Sequence, residues 1–251
     1  MIMSKFLSHV GRYTLMLKGM LNKPENSKVY WKEFMHQCND IGYRSLPIVL
    51  IIAAFLGAVM TLQSAYQLVS PIIPRYVIAQ IVRDSTILEL APTMICVVLA
   101  GVVGSKIASE LGNMRISEQI DALEIMGINT KTYLILPKIV AALLMVPCLI
   151  ILAIVISMIG GYAAGSMTGT VLPDQFYYGL TTDFVPFNMY VALAKSFTFA
   201  FIISTVPAYY GYHVEGGALE IGRSSTTSVV VSCITILLAD YGITALMLSN
   251  G

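Results

Sequence analysis

Five long apolar stretches occupy most of this chain, at residues 46–69, 86–105, 140–164, 188–212 and 229–249. Each stretch has the roughly 20 residues that an α-helix needs to cross a bilayer, and a helix satisfies its own backbone hydrogen bonds in lipid. The mean hydropathy is +0.77, with 57% hydrophobic and 12% charged residues. A soluble domain of 251 residues cannot bury that much apolar surface. The sequence therefore predicts an all-α integral membrane protein with five transmembrane helices.

Basic residues are distributed unevenly between the two sides of the predicted membrane. Of the fifteen lysines and arginines, twelve lie before the first span, between spans two and three, or between spans four and five. Arg75 and Arg83 lie on the opposite side, and Lys195 lies within a span. Cytoplasmic segments carry an excess of Lys and Arg, which predicts a cytoplasmic N-terminus and an external C-terminus. The net charge of +1 indicates no nucleic-acid partner.

The segment before the first span is predicted to lie in the headgroup layer of the membrane. Val10, Tyr13 and Leu17 share one apolar helical face, and basic residues lie off that face. A basic amphipathic helix of this kind binds the membrane interface, and Tyr30 and Trp31 are typical interfacial anchors. Two roles are open for the segment. It either only fixes the protein in the membrane, or it also gates access for lipid.

The stretch ELGNMRISEQIDALEIMG, residues 110–127, is polar and patterned like one helix. Four apolar residues form a stripe on a helical wheel: Ile116, Ile120, Leu123 and Met126. Three acidic residues lie on roughly the opposite face: Glu118, Asp121 and Glu124. Because an acidic face is a poor partner for anionic headgroups, the pattern favours a protein partner. The chain has no G-x-x-x-x-G-K-[ST] phosphate loop. The helix either docks onto a separate ATPase or is a solvated connection between two spans.

Three sequence strings carry a resemblance to a known family. The string ASELGNMRISEQIDALEIMGIN closely resembles the signature of the MlaE family, the permease subunits of ABC transporters that work with MCE proteins. LELAPTMICVVLAG and RSSTTSVVVSCITILLADYGITALMLSNG resemble two further family patterns, so the resemblance covers about residues 40–251. The chain departs from the family at Leu88 and Val102, where arginines are common, and at Asn129–Thr130, where a proline often follows the turn.

The resemblance implies a fold and a function. It implies one permease domain over residues 1–251, in which a cytoplasmic interfacial segment (1–45) precedes a five-span core (46–251) with a coupling helix between spans two and three. It implies a homodimer in the bacterial inner membrane that moves phospholipid with a cytoplasmic ABC ATPase and a periplasmic MCE-family lipid-binding protein. ATP and Mg would bind the ATPase, so we expect no cofactor, metal or catalytic residue in this chain. The expected coupling residues are Glu110, Arg115, Glu118, Gln119, Asp121 and Glu124.

Three ionisable residues fall inside the predicted spans. Glu89, Lys195 and Asp240 lie ~5, ~10 and ~13 Å from the outer ends of their spans, at ~1.5 Å per residue. Such groups usually face protein, water or each other. We expect Lys195 to meet Asp240 or Glu89, either at the polar floor of an outward-facing lipid cavity or as a static ion pair. An apolar face of Leu62, Tyr66 and Val69 is the predicted lining for lipid tails.

Smaller features of the sequence complete the predictions. Small residues between Gly160 and Gly165 predict close helix contact in span three. The glycine-rich stretch 211–225 is predicted as a turn, with His213 in solvent. Two other functions are weighed against the permease. A secondary transporter usually shows inverted repeats, and we find none. A lipid-modifying enzyme needs a catalytic constellation, and none is evident on either face.

Overall fold

The structure is a computed structural model, and it describes residues 2–20, 27–68 and 74–248. Every regular element in these ranges is helical, which confirms the all-α fold. Five helical stretches in the same ranges are long and apolar enough to cross a membrane: Lys28–Gln67, Tyr76–Ile116, Lys131–Met167, Pro186–Tyr212 and Ala218–Met247. The chain is therefore a multi-pass membrane protein, and its spans follow the predicted order.

Two helices precede the membrane-crossing part of the first stretch. They are α1 (Ile2–Gly19) and α2 (Ser27–Ile41), and a short 3₁₀ turn at Tyr43–Ser45 connects α2 to α3 (Leu46–Gln67). A proline lies in the first turn of α3, where its missing N–H costs no helical hydrogen bond. The two helices have the helical structure predicted for the segment before the first span. Their position at the membrane surface stays a prediction.

The second span is one helical stretch whose winding changes along its length. Its parts, in order, are α4 (Tyr76–Ser85), a π-helical segment (Thr86–Met94), α5 (Ile95–Leu99), a second π-helical segment (Ala100–Gly104) and α6 (Ser105–Ile116). Pro92 lies inside the first π-helical segment and cannot donate the hydrogen bond that an α-helix would require there. Segments of π-helix are rare and frequently occur at functional sites.

The remaining helices complete the chain. A short helix α7 (Gln119–Ile125) follows α6, and a third π-helical segment (Lys131–Ile135) leads into α8 (Leu136–Met167). A short helix α9 (Pro173–Thr181) comes next, followed by α10 (Pro186–Tyr212) and α11 (Ala218–Leu248). Neither α4 nor α9 was among the predicted elements.

The prediction of a turn over residues 211–225 is wrong for most of its length. Only residues 213–217 lie between α10 and α11, and Gly216 has a φ of 116° that suits glycine. Helix α11 begins directly afterwards at Ala218, where Glu220 donates its backbone N–H to the carbonyl of Gly217. Alanine, leucine and glutamate are strong helix formers, so the helix extends well before the apolar stretch that marked the predicted span.

The described helices form two compact units. Unit 1 consists of residues 1–43, 99–145 and 200–235, and unit 2 consists of residues 44–98, 146–199 and 236–251. The helices α8, α10 and α11 each contribute residues to both units. The coupling residues predicted from the sequence belong to unit 1, and the three charged residues predicted inside the membrane belong to unit 2.

Glycines bring α3 and α8 into close contact in unit 2. A Cβ atom on Gly57 would overlap the backbone carbonyl of Ser157, and one on Gly160 would overlap the carbonyl of Ala54. Gly161 lies similarly close to the hydroxyl group of Thr61. Small residues of this kind allow two helix backbones to approach each other in a membrane. The close contact predicted from the small residues of span three is therefore present.

Helices α4 and α9 pack together around a small apolar cluster in unit 2. Five buried residues form it: Ile78, Ala79, Val82, Val171 and Phe176. Arg83 is buried beside them, and its guanidinium group donates to the backbone carbonyls of Gly179, Leu180, Thr182 and Asp183 at 2.7–3.2 Å. The last carbonyls of a helix have no partner within it, so this arginine holds the end of α9.

Candidate functional site

The predicted coupling helix is interrupted at its middle. Helix α6 ends at Ile116, and α7 starts at Gln119, because Glu118 adopts a left-handed conformation with a φ of 59°. The hydroxyl of Ser117 donates to the carbonyl of Asn113 at 2.7 Å and competes with helix continuation. The prediction of one continuous helix over residues 110–127 is therefore wrong, and its two faces do not extend across the break.

Most of the charged coupling residues have partners inside unit 1. Arg115 forms an ion pair with Asp121 at 2.6 Å. Glu124 accepts hydrogen bonds from the hydroxyls of Tyr212 at 2.8 Å and Thr130 at 3.1 Å. These contacts attach α7 to the end of α6 and to the end of α10. Two of the three acidic side chains that the sequence suggested for a partner, Asp121 and Glu124, therefore position the helix within its own chain.

Glu110 also has an internal partner. Its carboxylate pairs with Lys138 at 2.8 Å, and Lys138 is 2% exposed. A buried lysine needs such a counter-charge, so the pair has a structural reason. Glu118 and Gln119 are exposed beside the break. Glu124 is also exposed, but its carboxylate accepts hydrogen bonds from Tyr212 and Thr130.

The end of α7 presents two exposed apolar side chains. Ile125 is 87% exposed and Met126 is 66% exposed, whereas Ile120 is fully buried. The helical wheel placed Met126 on the same stripe as Ile120, but α7 ends at Ile125 and Met126 lies beyond the helix. An exposed apolar tip between two spans is a typical protein contact. In the sequence, the signal for this exposed tip is the pair of apolar residues Ile125 and Met126 directly before Gly127.

In unit 2, the three charged residues predicted inside the spans form one cluster. Lys195 is fully buried, and its ammonium group donates to Glu89 at 2.8 Å and to the backbone carbonyl of Leu88 at 2.9 Å. It also pairs with Asp240 at 2.7 Å, as an ion pair whose angle is unsuited to a hydrogen bond. The predicted meeting of these residues is observed, and their role in transport stays a prediction.

The geometry of the cluster limits how a lipid phosphate can reach it. Lys195 already pairs with two carboxylates and donates to one carbonyl, so a phosphate would compete with Glu89 and Asp240 for its ammonium group. The side chain of Glu89 is 45% exposed and that of Asp240 is 15% exposed. Hydroxyls of Thr93 and Thr244 approach Glu89 at 3.5 Å. Glu89 is thus the member of the cluster that solvent or a ligand reaches first.

The predicted lipid-tail lining lies on α3. Leu62 and Tyr66 are 39% and 83% exposed and share a face with Phe55 and Val59, which are also exposed. Val69 lies outside the described residues. The exposed face suits lipid tails or another apolar surface, and the lining role stays a prediction.

A polar cavity of about 270 Å³ lies in unit 1 where α10 ends and α11 begins. His213 lines it and is half-buried, with its Nδ1 hydrogen-bonded to the carbonyl of Tyr209 at 3.0 Å. Burial lowers the pKa of His213, and the nearby charges of Lys131, Arg12 and Arg115 lower it further. The prediction of a solvent-exposed His213 is wrong, because its ring packs against Tyr209 and Tyr212 in the last turn of α10. Within the described ranges, no three His, Cys, Asp or Glu side chains are grouped as metal ligands.

Comparisons with known proteins point to one family. The family described as Permease MlaE matches residues 34–246. A probable ABC transporter permease protein of Rickettsia bellii is 35% identical over 242 residues, which cover 94% of this chain and 91% of the relative. Another from Synechocystis is 32% identical over 231 residues, covering 92% and 84%. Protein trigalactosyldiacylglycerol 1, chloroplastic, of Arabidopsis thaliana is 30% identical over 223 residues, covering 85% and 61%.

Proposed function

The chain belongs to the MlaE permease family, and we propose that it is the membrane subunit of an ATP-driven transporter of phospholipids. Its relatives are named as ABC transporter permeases, which implies an ATPase partner. In the proposed complex the ATPase is a separate cytoplasmic subunit that binds ATP and Mg. This chain then carries no cofactor of its own and contributes the path for the substrate.

One observation supports the ATPase contact most directly. Helix α7 lies between two candidate spans, is held by Arg115, Tyr212 and Thr130, and still exposes Ile125 and Met126 at its end. A rigidly held helix with an apolar tip fits a groove on a partner, because little conformational entropy is lost when it docks. In this proposal the tip enters the ATPase, and Glu118 and Gln119 contact its rim.

A lipid substrate is supported by one relative and by the apolar surfaces of the chain. The Arabidopsis relative is named for trigalactosyldiacylglycerol, a diacylglycerol lipid. The exposed face of α3, with Leu62 and Tyr66, offers apolar contact for acyl chains. The half-exposed Glu89 beside Lys195 and Asp240 offers a charged site for a headgroup.

The proposed assembly is a homodimer in the inner membrane of a bacterial cell. Of the 18 most apolar consecutive residues of the fifth span, 11% are buried within one chain, whereas 61% are buried in the fourth span. A second copy of the chain would cover part of this bare span. The proposal places the N-terminus in the cytoplasm and the C-terminus in the periplasm, where an MCE-family protein would receive or deliver the lipid.

The first experiment is gentle purification of the chain from its native membrane, followed by mass spectrometry of the proteins and lipids that accompany it. The proposal expects an ATPase, an MCE-type protein and phospholipid. Ile125→Asp should remove the ATPase, since a charge at the apolar tip would have to be desolvated in the groove. Leu172→Asp is the matched control, because Leu172 is 62% exposed in unit 2.

Two results would contradict the proposal. If no ATPase accompanies the chain under conditions that preserve other transporter complexes, a secondary transporter becomes the better function. If Ile125→Asp and Leu172→Asp retain the ATPase equally well, the contact lies elsewhere than at the tip of α7.

The charged cluster has its own test. Lys195→Met should abolish lipid transport in reconstituted complexes while the complex still assembles, if the cluster acts on the substrate. If Lys195→Met instead fails to assemble and Asp240→Asn transports lipid normally, the role of the cluster is purely structural.

A further inference from the structure

The polar cavity at the junction of α10 and α11 is lined by charges of both signs. Its volume is about 270 Å³, just below the roughly 300 Å³ at which pockets for drug-sized molecules begin, so it suits a smaller polar group. Its wall includes two arginines, two histidines and two glutamates: Arg12, Arg223, His9, His213, Glu215 and Glu220. All six belong to unit 1. An occupant of the cavity therefore meets both positive and negative groups.

The charges in the wall are only partly paired with one another. Arg223 pairs with Glu220 at 3.0 Å near the beginning of α11. In the part of the chain that the structure describes, the side chains of Arg12 and Glu215 have no hydrogen bond and no ion pair to another residue. Both side chains are exposed. The cavity thus offers one cation and one anion to a ligand.

The surroundings of Arg12 are positive. His9 and Arg12 are three residues apart on α1 and share one face of that helix. Burial lowers the pKa of His213, and three nearby cations lower it further: Lys131, Arg12 and Arg115. The charges that shift this pKa are all positive, so the Arg12 side of the cavity favours an anion. Phosphate oxygens form strong charge-assisted hydrogen bonds with arginine.

The cavity lies close to where two candidate spans leave the apolar layer. Thr227 in its wall is ~3 Å along α11 from the apolar stretch that begins at residue 229, and Arg223 is ~9 Å from it, at ~1.5 Å per residue. The headgroup layer occupies roughly 5–7 Å on each side of the hydrocarbon core. On α10, Tyr209 and Tyr210 also line the cavity, and tyrosine is enriched at this interface. The wall therefore covers the depth at which lipid phosphates lie.

We propose that this cavity binds a phosphate group that carries a nearby ammonium group, as in the headgroup of phosphatidylethanolamine in the surrounding membrane. The phosphate lies against Arg12 and His9. The Nε2 atom of His9 is available because Nδ1 is hydrogen-bonded to the hydroxyl of Tyr209 at 2.8 Å. The ammonium group lies against Glu215, which a purely anionic headgroup would leave without a counter-charge. The inference does not rest on what the permease transports, because phospholipid surrounds the chain in any membrane.

Three lipids with the same acyl chains separate the two charges of the ligand. The purified full chain in mild detergent is titrated with phosphatidylethanolamine, phosphatidylglycerol or phosphatidylcholine, and native mass spectrometry counts the lipids that stay bound. We expect one saturable site for phosphatidylethanolamine. Phosphatidylglycerol, which has no ammonium group, should bind about fivefold more weakly, the effect of one exposed ion pair. Phosphatidylcholine should also bind more weakly, since its methylated nitrogen cannot donate to Glu215. Equal affinity for all three lipids would overturn the proposal.

Two variants that each remove one charge should differ in their lipid selectivity. Arg12→Gln should weaken binding of phosphatidylethanolamine and phosphatidylglycerol alike, by about fivefold, and Arg12→Lys should retain most of the binding. Glu215→Gln should weaken only phosphatidylethanolamine, so that the two lipids bind with similar affinity. Lys18→Gln is the matched control on α1, because Lys18 is exposed and does not line the cavity. Asp174→Asn, at an exposed position in unit 2, is the control for Glu215. Variants that bind all lipids as their controls do, with unchanged thermal midpoints, would show that the cavity holds only water.

A soluble competitor identifies the source of the headgroup. Glycerophosphoethanolamine has the same phosphate and ammonium groups but no acyl chains. It should displace phosphatidylethanolamine only at concentrations at least about tenfold higher, because it gains nothing from the burial of apolar surface. Displacement at equal concentration would assign the cavity to a soluble phosphate compound instead of a lipid. No displacement at any concentration would show that the acyl chains alone hold the lipid, and the assignment of a headgroup to the cavity would then be wrong.

Discussion

Arg83 holds the end of α9 through a single guanidinium group. Four backbone carbonyls and the carboxylate of Asp84 accept its hydrogen bonds, and its guanidinium lies 5.6 Å from the ring of Phe184. A planar fork with five donors can satisfy this set, whereas a lysine ammonium has three donors at one point. From the sequence alone, Arg83 counted only as one of the basic residues on the predicted external side of the membrane.

We expect Arg83→Lys to destabilise α9 by about 1.5–3 kcal/mol, the range for a lost hydrogen bond to a charged group. Hydrogen–deuterium exchange should become faster over residues 173–183. Arg75→Lys is the control, since the exposed Arg75 makes one bond to the carbonyl of Thr170. Equal exchange in the two variants would contradict this role.

His213 gives unit 1 a defined dependence on pH. Its pKa is lowered in the folded chain, so the unfolded chain binds the proton more readily as the pH falls through about 6.5. The contribution of His213 is fully present above that pH and is lost below it. The thermal midpoint should fall between pH 7 and pH 5, and His213→Gln should flatten the fall. Identical pH profiles in both proteins would disprove this account.

The residues of the candidate site differ in how well the sequence predicted them. Glu89, Lys195 and Asp240 were predictable because charges inside apolar spans must find each other. The partners of Asp121 and Glu124 were not predictable. The partner of Asp121 depends on the turn at the left-handed Glu118, and that of Glu124, Tyr212, is distant in sequence. Ile125 was missed although its local signal, an apolar pair before Gly127, was present in the sequence.

At the scale of elements, the apolar stretches predicted the spans because length and hydropathy alone determine them. The short helices α4 and α9 were not predicted, since helices of this length owe their stability to tertiary packing. Their shared cluster around Phe176 supplies that packing. The π-helical segments also had no signal in the sequence beyond Pro92 in the first of them.

The contact between α3 and α8 depends on the absence of side chains. We expect Gly160→Ala to separate the two helices, because its Cβ would overlap the carbonyl of Ala54. Overpacking of this kind costs about 1–3 kcal/mol, and the thermal midpoint in detergent should fall. Gly222→Ala is the control: Gly222 lies in α11 with open space around it, so alanine should be neutral or stabilising. A lower midpoint for Gly222→Ala alone would contradict the packing argument.

At the scale of the whole molecule, the distribution of basic residues predicts the orientation of the chain in the membrane. Twelve of the fifteen lysines and arginines lie in the segments predicted to share one side of the membrane, which include residues 1–45 and α7. Alkaline phosphatase, which is active only outside the cytoplasm, should be active when fused to the C-terminus and inactive when fused after Gly127. The reverse pattern would show that the charge rule fails for this chain.

The charged cluster also has a consequence for how the protein is made. Ribosomes synthesise Glu89 before Lys195, and Asp240 last. A lone lysine at the centre of a helix opposes insertion into the bilayer by roughly 2.5–3.5 kcal/mol. When the fourth span leaves the translocon, the carboxylate of Glu89 is already in the membrane as a counter-ion. Nascent chains that end at residue 217 should therefore insert their fourth span, and Glu89→Leu should lower that yield. Asp240 then enters where a cation is already in position, so the order of synthesis gives Lys195 and Asp240 an opposite charge on entry, and only Glu89 enters before its partner.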